Sequence, residues 1–358
     1  MKIPTATSQP VASRFARSLK HQLPGQVFSR LPGSWLKRLS RVKPVIAYYH
    51  IVADTEVPHV KQLYPVRSVV DFESDLDTFL EFYQPITLQT LIESLNNGSP
   101  LPDNSFLLTF DDGFRENAEV IAPILLKKGV PAAFFVTTGF LDNRGMAHHN
   151  KISLLLERMA QLGSASPRQE IREALQGYGI DCSDLRTALL SIECRNREAV
   201  DRIAALLKYD FQTYLSSARP YLSCEEVRSL IDRGFAIGAH SIDHPRYADI
   251  SADDQLHQTK ASVRFLSEQF SLRYRAFAFP HGDRNISDRL LEQLHEAGDI
   301  DVSFGTGGIL ADDRPRHFQR FSMEYESSPA RRVLAGQYIR GLYRTWCRSR
   351  PTKNSMSS

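Results

Sequence analysis

Between residues 45 and 323, short and almost wholly apolar runs alternate with longer amphipathic segments, and this alternation limits the chain to a parallel α/β architecture. The runs are VIAYYHI (45–51), FLLTF (106–110), AAFFVT (132–137), FAIGAH (235–240), AFAF (276–279), VSFGT (302–306) and QRFSM (319–323). Each is short for a helix and apolar at successive positions, the pattern of a strand covered on both faces. Helical periodicity occupies the stretches between them, at 72–82, 119–128, 225–233, 253–270 and 288–297. Repeated strand-helix units of this kind predict a parallel sheet or barrel. Residues 146–219 break the rhythm, holding helix-like pieces and no convincing strand. They are expected to form a helical insertion covering one face of the barrel.

At 358 residues the chain is long enough to bury a core without disulfides or metal staples. Cys182, Cys194, Cys224 and Cys347 are scattered, with no CxxC and no metal-ligand spacing, so a reduced compartment suits them. No run approaches the ~20 apolar residues that span a bilayer. MKIPTATSQP at the start lacks the apolar segment of a secretory signal, which predicts a cytoplasmic protein. Charge is uneven. Residues 1–53 carry nine Lys/Arg and no acid, residues 327–358 carry seven and no acid, and the stretch between holds 28 basic against 41 acidic residues. The expected organisation is therefore a basic N-terminal segment (1–44), a barrel (45–326) and a basic C-terminal helix and tail (327–358). Such flanks suit a membrane surface or a phosphate-bearing substrate rather than nucleic acid, or are simply solvated ends.

In a parallel barrel, catalytic groups come from the C-terminal ends of the strands. Those ends carry His50, Asp111 with Asp112, Thr137 with Thr138, His240 with His244, and Pro280, His281 and Gly282. Two adjacent carboxylates and two histidines four apart at one mouth make a metal-site inventory. Histidines at i and i+4 share a face if the turn between them is helical, and one carboxylate completes a mixed N/O set. Three protein ligands are the arrangement of a catalytic rather than a structural zinc. Of the two aspartates, one would bind the cation and the other would serve as general base.

The string LLTFDDGFRENAEVIAPILLKKGVPAAFFVTTGFL, followed by GFAIGAHSIDHP and FAFPHGD, resembles the polysaccharide deacetylase family, the NodB-homology group of carbohydrate esterases. The opening YYH resembles its exopolysaccharide-biosynthesis branch. The resemblance spans about residues 45–326 and implies a distorted (β/α)7 barrel. It implies Asp111 as base, Asp112, His240 and His244 as metal ligands, His50 beside the metal, and the backbone N–H of His281, after Pro280, as an oxyanion donor. Two features depart from the family. The arginine that orients the base is replaced by Ala278, leaving Arg275 as the substitute, and the LxxH motif of the general acid is absent because no histidine follows His317. Protonation of the leaving amine then falls to His317, Glu324 or His50, or to Asp111 acting twice. His148 and His149 are expected to pack within the insertion.

The implied activity is removal of an N-acetyl group from an amino sugar of a glycan or glycoconjugate precursor, nucleotide- or lipid-linked, by a divalent metal. Zinc is the first expectation, and Co, Ni or Fe fit the same ligands. A catalytically inactive glycan-binding barrel and a metal-dependent esterase on O-acyl sugars are the competing readings, separated by acetate release from N-acetyl and O-acetyl sugars.

Overall fold

The computed structural model describes residues 42–284, 286–310, 312–325 and 328–348, the last four as backbone alone. Most of the basic N-terminal segment and the tail beyond 348 lie outside the described residues.

Nine strands form one all-parallel sheet: β1 Val45–Tyr49, β2 Gln84–Pro85, β3 Ser105–Phe110, β4 Ala132–Val136, β5 Ala236–Ala239, β6 Ala276–Ala278, β7 Val302–Gly305, β8 His317–Gln319 and β9 Phe321–Ser322. The order is β8-β7-β6-β5-β4-β3-β1-β9, with β2 a stub beside the start of β3. Six expected strands form within a residue or two of their apolar runs. The seventh run does not behave as one strand. It breaks at Arg320: β8 pairs with β7 (Ser303↔His317) and β9 pairs with β1 (Ala47↔Phe321), so one stretch of chain reaches both ends of the sheet and nearly closes the barrel. The two-residue β2 has no apolar run to announce it.

Strand parity sorts the apolar residues into two cores. Ile46, Leu107, Ala133, Phe135, Ala276, Ala278, Val302 and Phe304 cluster together, with Phe318 against them; the alternate positions, such as Ala47, Tyr49, Leu108, Phe110, Phe134, Ile237 and Phe277, join the residues of the surrounding helices. The first group fills the barrel and the second lies between barrel and helices. Each fully buried Phe in these layers contributes on the order of 2–3 kcal/mol. Serine or threonine caps the helices at Ser68, Thr87, Ser223, Ser251 and Ser287, each accepting an N–H from the first turn. Ser223 and Glu226 complete a reciprocal capping box.

The chain divides into two compact units, one carrying the barrel and the other made, among the described residues, of 56–64 and 146–218. The second unit is helical: Pro58–Lys61, His148–Leu162, Arg168–Gln176, Leu185–Leu190, Arg197–Leu206 and Phe211–Ala218. Residues 56–64 are an addition to the expected insertion. Asn150 Nδ2 donates to the His59 carbonyl at 2.8 Å and Ser153 Oγ to that of Pro58 at 2.6 Å, while His59 Nδ1 lies 3.0 Å from the Tyr214 hydroxyl. His148 Nε2 is spent on the Ile192 carbonyl at 2.7 Å, and the His148 and His149 rings meet edge-on within the same unit. Cys182 and Cys224 are free thiols. No helix among the described residues is long and apolar enough to cross a membrane.

Candidate active site

At the end of β3, parity carries Thr109 and Asp111 into the barrel. Asp112 then turns left-handed (φ 71°), as does Gly113 (φ 75°), so the neighbouring carboxylates diverge. A side chain at Gly113 would press on Val136 Cβ at 3.1 Å. The left-handed geometry recurs at Ser241, His244 and His281. Non-glycine residues held there cost energy, and their concentration around one point is typical of a site whose geometry is imposed by its surroundings.

Asp112 faces the two histidines. Its Oδ1 lies 3.1 Å from His244 Nε2 and 3.5 Å from His240 Nε2, is buried, and has no hydrogen-bond partner. His240 Nδ1 donates to the Ala278 carbonyl at 2.8 Å, which fixes the tautomer and leaves the Nε2 lone pair toward Asp112. The turn from His240 to His244 is not helical. Ser241 Oγ accepts the His244 N–H at 3.0 Å and brings the second imidazole around. Three ligand atoms within 4.8 Å of one another, one an orphaned carboxylate oxygen, fit a divalent cation. Burial opposes the charge on Asp112, but His244, His50 and His240 hold its carboxyl well below the usual carboxylate range. Burial pushes His240 down to about 4, so it is neutral at pH 7, the form in which imidazole is a ligand.

Asp111 points the other way. Its two oxygens accept from Arg320 NH1 at 2.7 Å and NH2 at 2.8 Å, and Arg320 NH1 also donates to Thr109 Oγ1 at 3.1 Å. The Arg320 side chain is fully buried, among the rings of Tyr48 (5.0 Å), Phe135 (5.3 Å) and Phe304 (5.9 Å). Burial alone would raise Asp111; Arg320 and His240 reverse that and keep it ionised. Sequence reasoning missed this residue and offered Arg275 instead. That expectation is corrected: Arg275 is half exposed at the foot of β6, bonded to the Gly298 carbonyl and close to Asp301. Parity held the signal, since Arg320 shares its strand face with the inward Phe318.

His50 closes the third side. Its Nδ1 is hydrogen-bonded to Glu324 Oε2, while Glu324 Oε1 accepts the N–H groups of His50 (2.7 Å) and Ile51 (3.2 Å). Burial pushes the imidazolium down, yet Glu324 outweighs it and raises His50 to about 10. Glu324 is thereby an orienting carboxylate, spent on three partners. Pro280 is buried and His281 sits in a tight turn, with Gly282 N–H donating to the Phe279 carbonyl at 3.2 Å and the His281 ring 4.5 Å from that of His244. His317 goes elsewhere. The outward parity of β8 aims it at Ser303 Oγ (2.8 Å) and Asp283 (3.0 Å), where Arg314 forms ion pairs with Asp283 and Asp312 and Gln319 Nε2 donates to both. The structure thus places His317 in a hydrogen-bonded network on the outer face of the barrel wall, which corrects the expectation that it protonates the leaving amine.

A family model described as polysaccharide deacetylase matches residues 98–175 and 199–299, and its gap falls in the helical unit. Among solved structures, the Streptococcus pyogenes deacetylase PplD in complex with acetate superposes with a TM-score of 0.54 at 17% identity, over 83% of this chain and 99% of that one. IcaB from Ammonifex degensii superposes with a TM-score of 0.50 at 17% identity, over 82% and 96%. At such identities the likeness establishes a shared barrel fold. No curated protein sequence matches the chain.

Proposed function

Because this chain belongs to the polysaccharide deacetylase family, we propose that it is a metal-dependent hydrolase releasing acetate from an N-acetylated amino sugar. The observation that carries the reading is the divergence of two adjacent carboxylates, Asp112 toward a histidine pair and Asp111 onto a buried guanidinium. Asp112, His240 and His244 would hold the cation. Zinc is the expected ion, and when bound it supplies a Lewis acid that acidifies water and polarises the amide carbonyl.

The chain's own groups account for the protons. Asp111, ionised and fixed, accepts one proton from the attacking water as the new C–O bond forms. The backbone N–H of His281 offers a hydrogen bond to the developing oxyanion. Breaking the C–N bond requires a proton on the departing nitrogen. His50, oriented through Nδ1 by Glu324, is the residue proposed to supply it, with Asp111 the alternative donor of the proton it has just taken. Water's oxygen ends in acetate; when His50 supplies the amine proton, the proton taken by Asp111 passes to solvent and His50 regains one from solvent, so the reaction balances without a further reactant.

Acetate release should be measured with N-acetylated nucleotide-linked, lipid-diphosphate-linked and polymeric sugars, with and without chelator and added zinc. Release from none of them, release only from O-acetyl sugars, or full activity after metal removal would each sink the proposal.

We also infer that the substrate is a phosphate-bearing precursor met in the cytoplasm at an anionic membrane surface. The helix Ala330–Arg348 contains no acid and exposes Leu342 (41%) and Tyr343 (63%) beside Arg340, a basic and partly apolar face suited to an interface. The full chain should sediment with anionic vesicles at low salt, and Arg340→Glu with Tyr343→Ser should weaken that binding. Vesicle binding unchanged by these substitutions or by salt would refute it.

A further inference from the structure

We propose that Gln258 is a positioning residue for His244, holding from the helix Ala252–Phe270 the turn that presents this imidazole; the inference rests on the reading of Asp112, His240 and His244 as the cation's ligands. Three residues separate the two histidines, and their turn is not one the chain takes unaided. Ser241 (φ 67°) and His244 (φ 58°) are both left-handed, a conformation that disfavours residues bearing a Cβ, so the turn persists only where its surroundings fix it.

The turn is gripped from two sides. At the end of β4, Thr137 Oγ1 donates to the His240 carbonyl at 3.3 Å, the Thr138 N–H to that of Ser241 at 3.1 Å and the Gly139 N–H to that of Ile242 at 2.8 Å. The approach is so close that a Cβ at Gly139 would lie 2.5 Å from the Ile242 oxygen. These contacts engage carbonyls only. The N–H groups of Ile242 and Asp243 go to Gln258 Oε1, at 2.9 and 3.4 Å, while Gln258 Nε2 donates to Asp243 Oδ1 at 2.7 Å. Such a set of partners calls for an amide, since a carboxylate could accept the two N–H groups but not donate to Asp243. The helix is itself tied to the chain just beyond the turn: Gln255 Nε2 donates to the Tyr247 carbonyl at 2.6 Å, and Thr259 Oγ1 lies 2.9 Å from the hydroxyl of Tyr247, a ring fully buried beside Phe277 and Phe279. Gln255, Gln258 and Thr259 share one helix face by their spacing. Without the amide the turn would keep its hold on β4 alone, and the His244 ring would be free to leave its place opposite Asp112.

The test measures zinc binding by titration calorimetry in the full chain carrying Gln258→Met, Gln258→Asn, His244→Ala, or His244→Ala with Gln258→Met, and follows acetate release from N-acetylated sugars by the wild type. Loss of a group that orients a ligand from outside the ligand set should weaken zinc binding ~10- to 10²-fold in Gln258→Met. In the His244→Ala background the same substitution should change the residual affinity by less than ~3-fold, because the imidazole being positioned is gone, whereas a glutamine that merely stabilised the fold would cost as much with or without it. Should Gln258→Met fail to fold, folded Gln258→Asn carries the decision: its amide stops one methylene short of the two N–H groups, and zinc should bind more than ~3-fold more weakly than to the wild type. Zinc affinity within ~3-fold of the wild type in the folded variant, or an undiminished loss in the His244→Ala background, overturns the inference. A wild type that binds no zinc would overturn the ligand assignment and this inference together. Gln258-dependent zinc binding without acetate release from any sugar would overturn the hydrolytic reading and sustain this one.

Discussion

Replacing Glu324 by Gln removes one charge while keeping the shape of the side chain. The amide oxygen can still accept from the N–H groups of His50 and Ile51, so the backbone frame at the end of β1 survives. What is lost is the ion pair to His50 Nδ1. Its size follows from two estimates. Displacement of His50 from 6.5 to about 10 corresponds to about 5 kcal/mol at 1.36 kcal/mol per pH unit. Two unit charges ~4 Å apart at an effective dielectric of ~20 give about 4 kcal/mol. The His50 side chain is 22% exposed, which screens the pair, so a loss of about 3 kcal/mol is expected, near the lower end for breaking a buried pair. The folded value of His50 lies above the unfolded one, so this stabilisation is complete below about pH 6.5 and disappears as pH rises through 10. Urea melts of the metal-free protein, where only the chain's own charges act, should show a large wild-type advantage at pH 7 that fades by pH 10. The imidazole signal of His50 should titrate near or below 6.5 in the variant. An equal loss at pH 7 and pH 10, or an unmoved His50 titration, would refute the reasoning.

Three further outcomes are expected. His240→Ala and His244→Ala each remove one of three ligand side chains, so zinc titration calorimetry should show affinity reduced by at least ~10²-fold, and unchanged affinity would mean the cation lies elsewhere. Asp111→Asn should retain zinc while kcat drops ~10²- to 10⁴-fold, whereas Asp112→Asn should lose zinc first; the reverse pattern would exchange their roles. Asp283 is held well below the usual carboxylate range because His317, Gln319 and Arg314 together overcome its burial. Its depressed value contributes stability above about pH 4 that is lost in acid, so Asp283→Asn should destabilise the fold at pH 7 and much less at pH 2, a difference that parallel melts at the two pH values can refute.

The strands were legible because a doubly covered strand must be apolar, and the site because its residues follow strand ends in chain order. What escaped was whatever depends on partners distant in sequence. Arg320 sits in QRFSM, and nothing local says that its guanidinium meets Asp111, 209 positions earlier. The role of Glu324 was equally hidden, since a carboxylate looks like a proton donor until its three partners are known. His317 misled for the same reason in reverse: its residue type suits acid catalysis, but the phase of β8 turns it outward. Among the described residues, 56–64 join a helical unit whose remainder begins at 146, a pairing no window of sequence contains.

The shared strand also sets an order of events during synthesis. Chains emerge N-terminus first, and the proposed ligands Asp112, His240 and His244 are all present long before residue 317 leaves the ribosome. Until then β1 lacks its neighbour β9, Asp111 lacks its guanidinium, and His50 lacks Glu324. A nascent or prematurely terminated chain ending before this point therefore has all three proposed metal ligands but neither Asp111 nor His50 anchored, and it presents two unpaired strand edges, at β7 and β1, to other nascent chains. Competence for chemistry and protection from intermolecular strand pairing arrive together, within the same eight residues from His317 to Glu324.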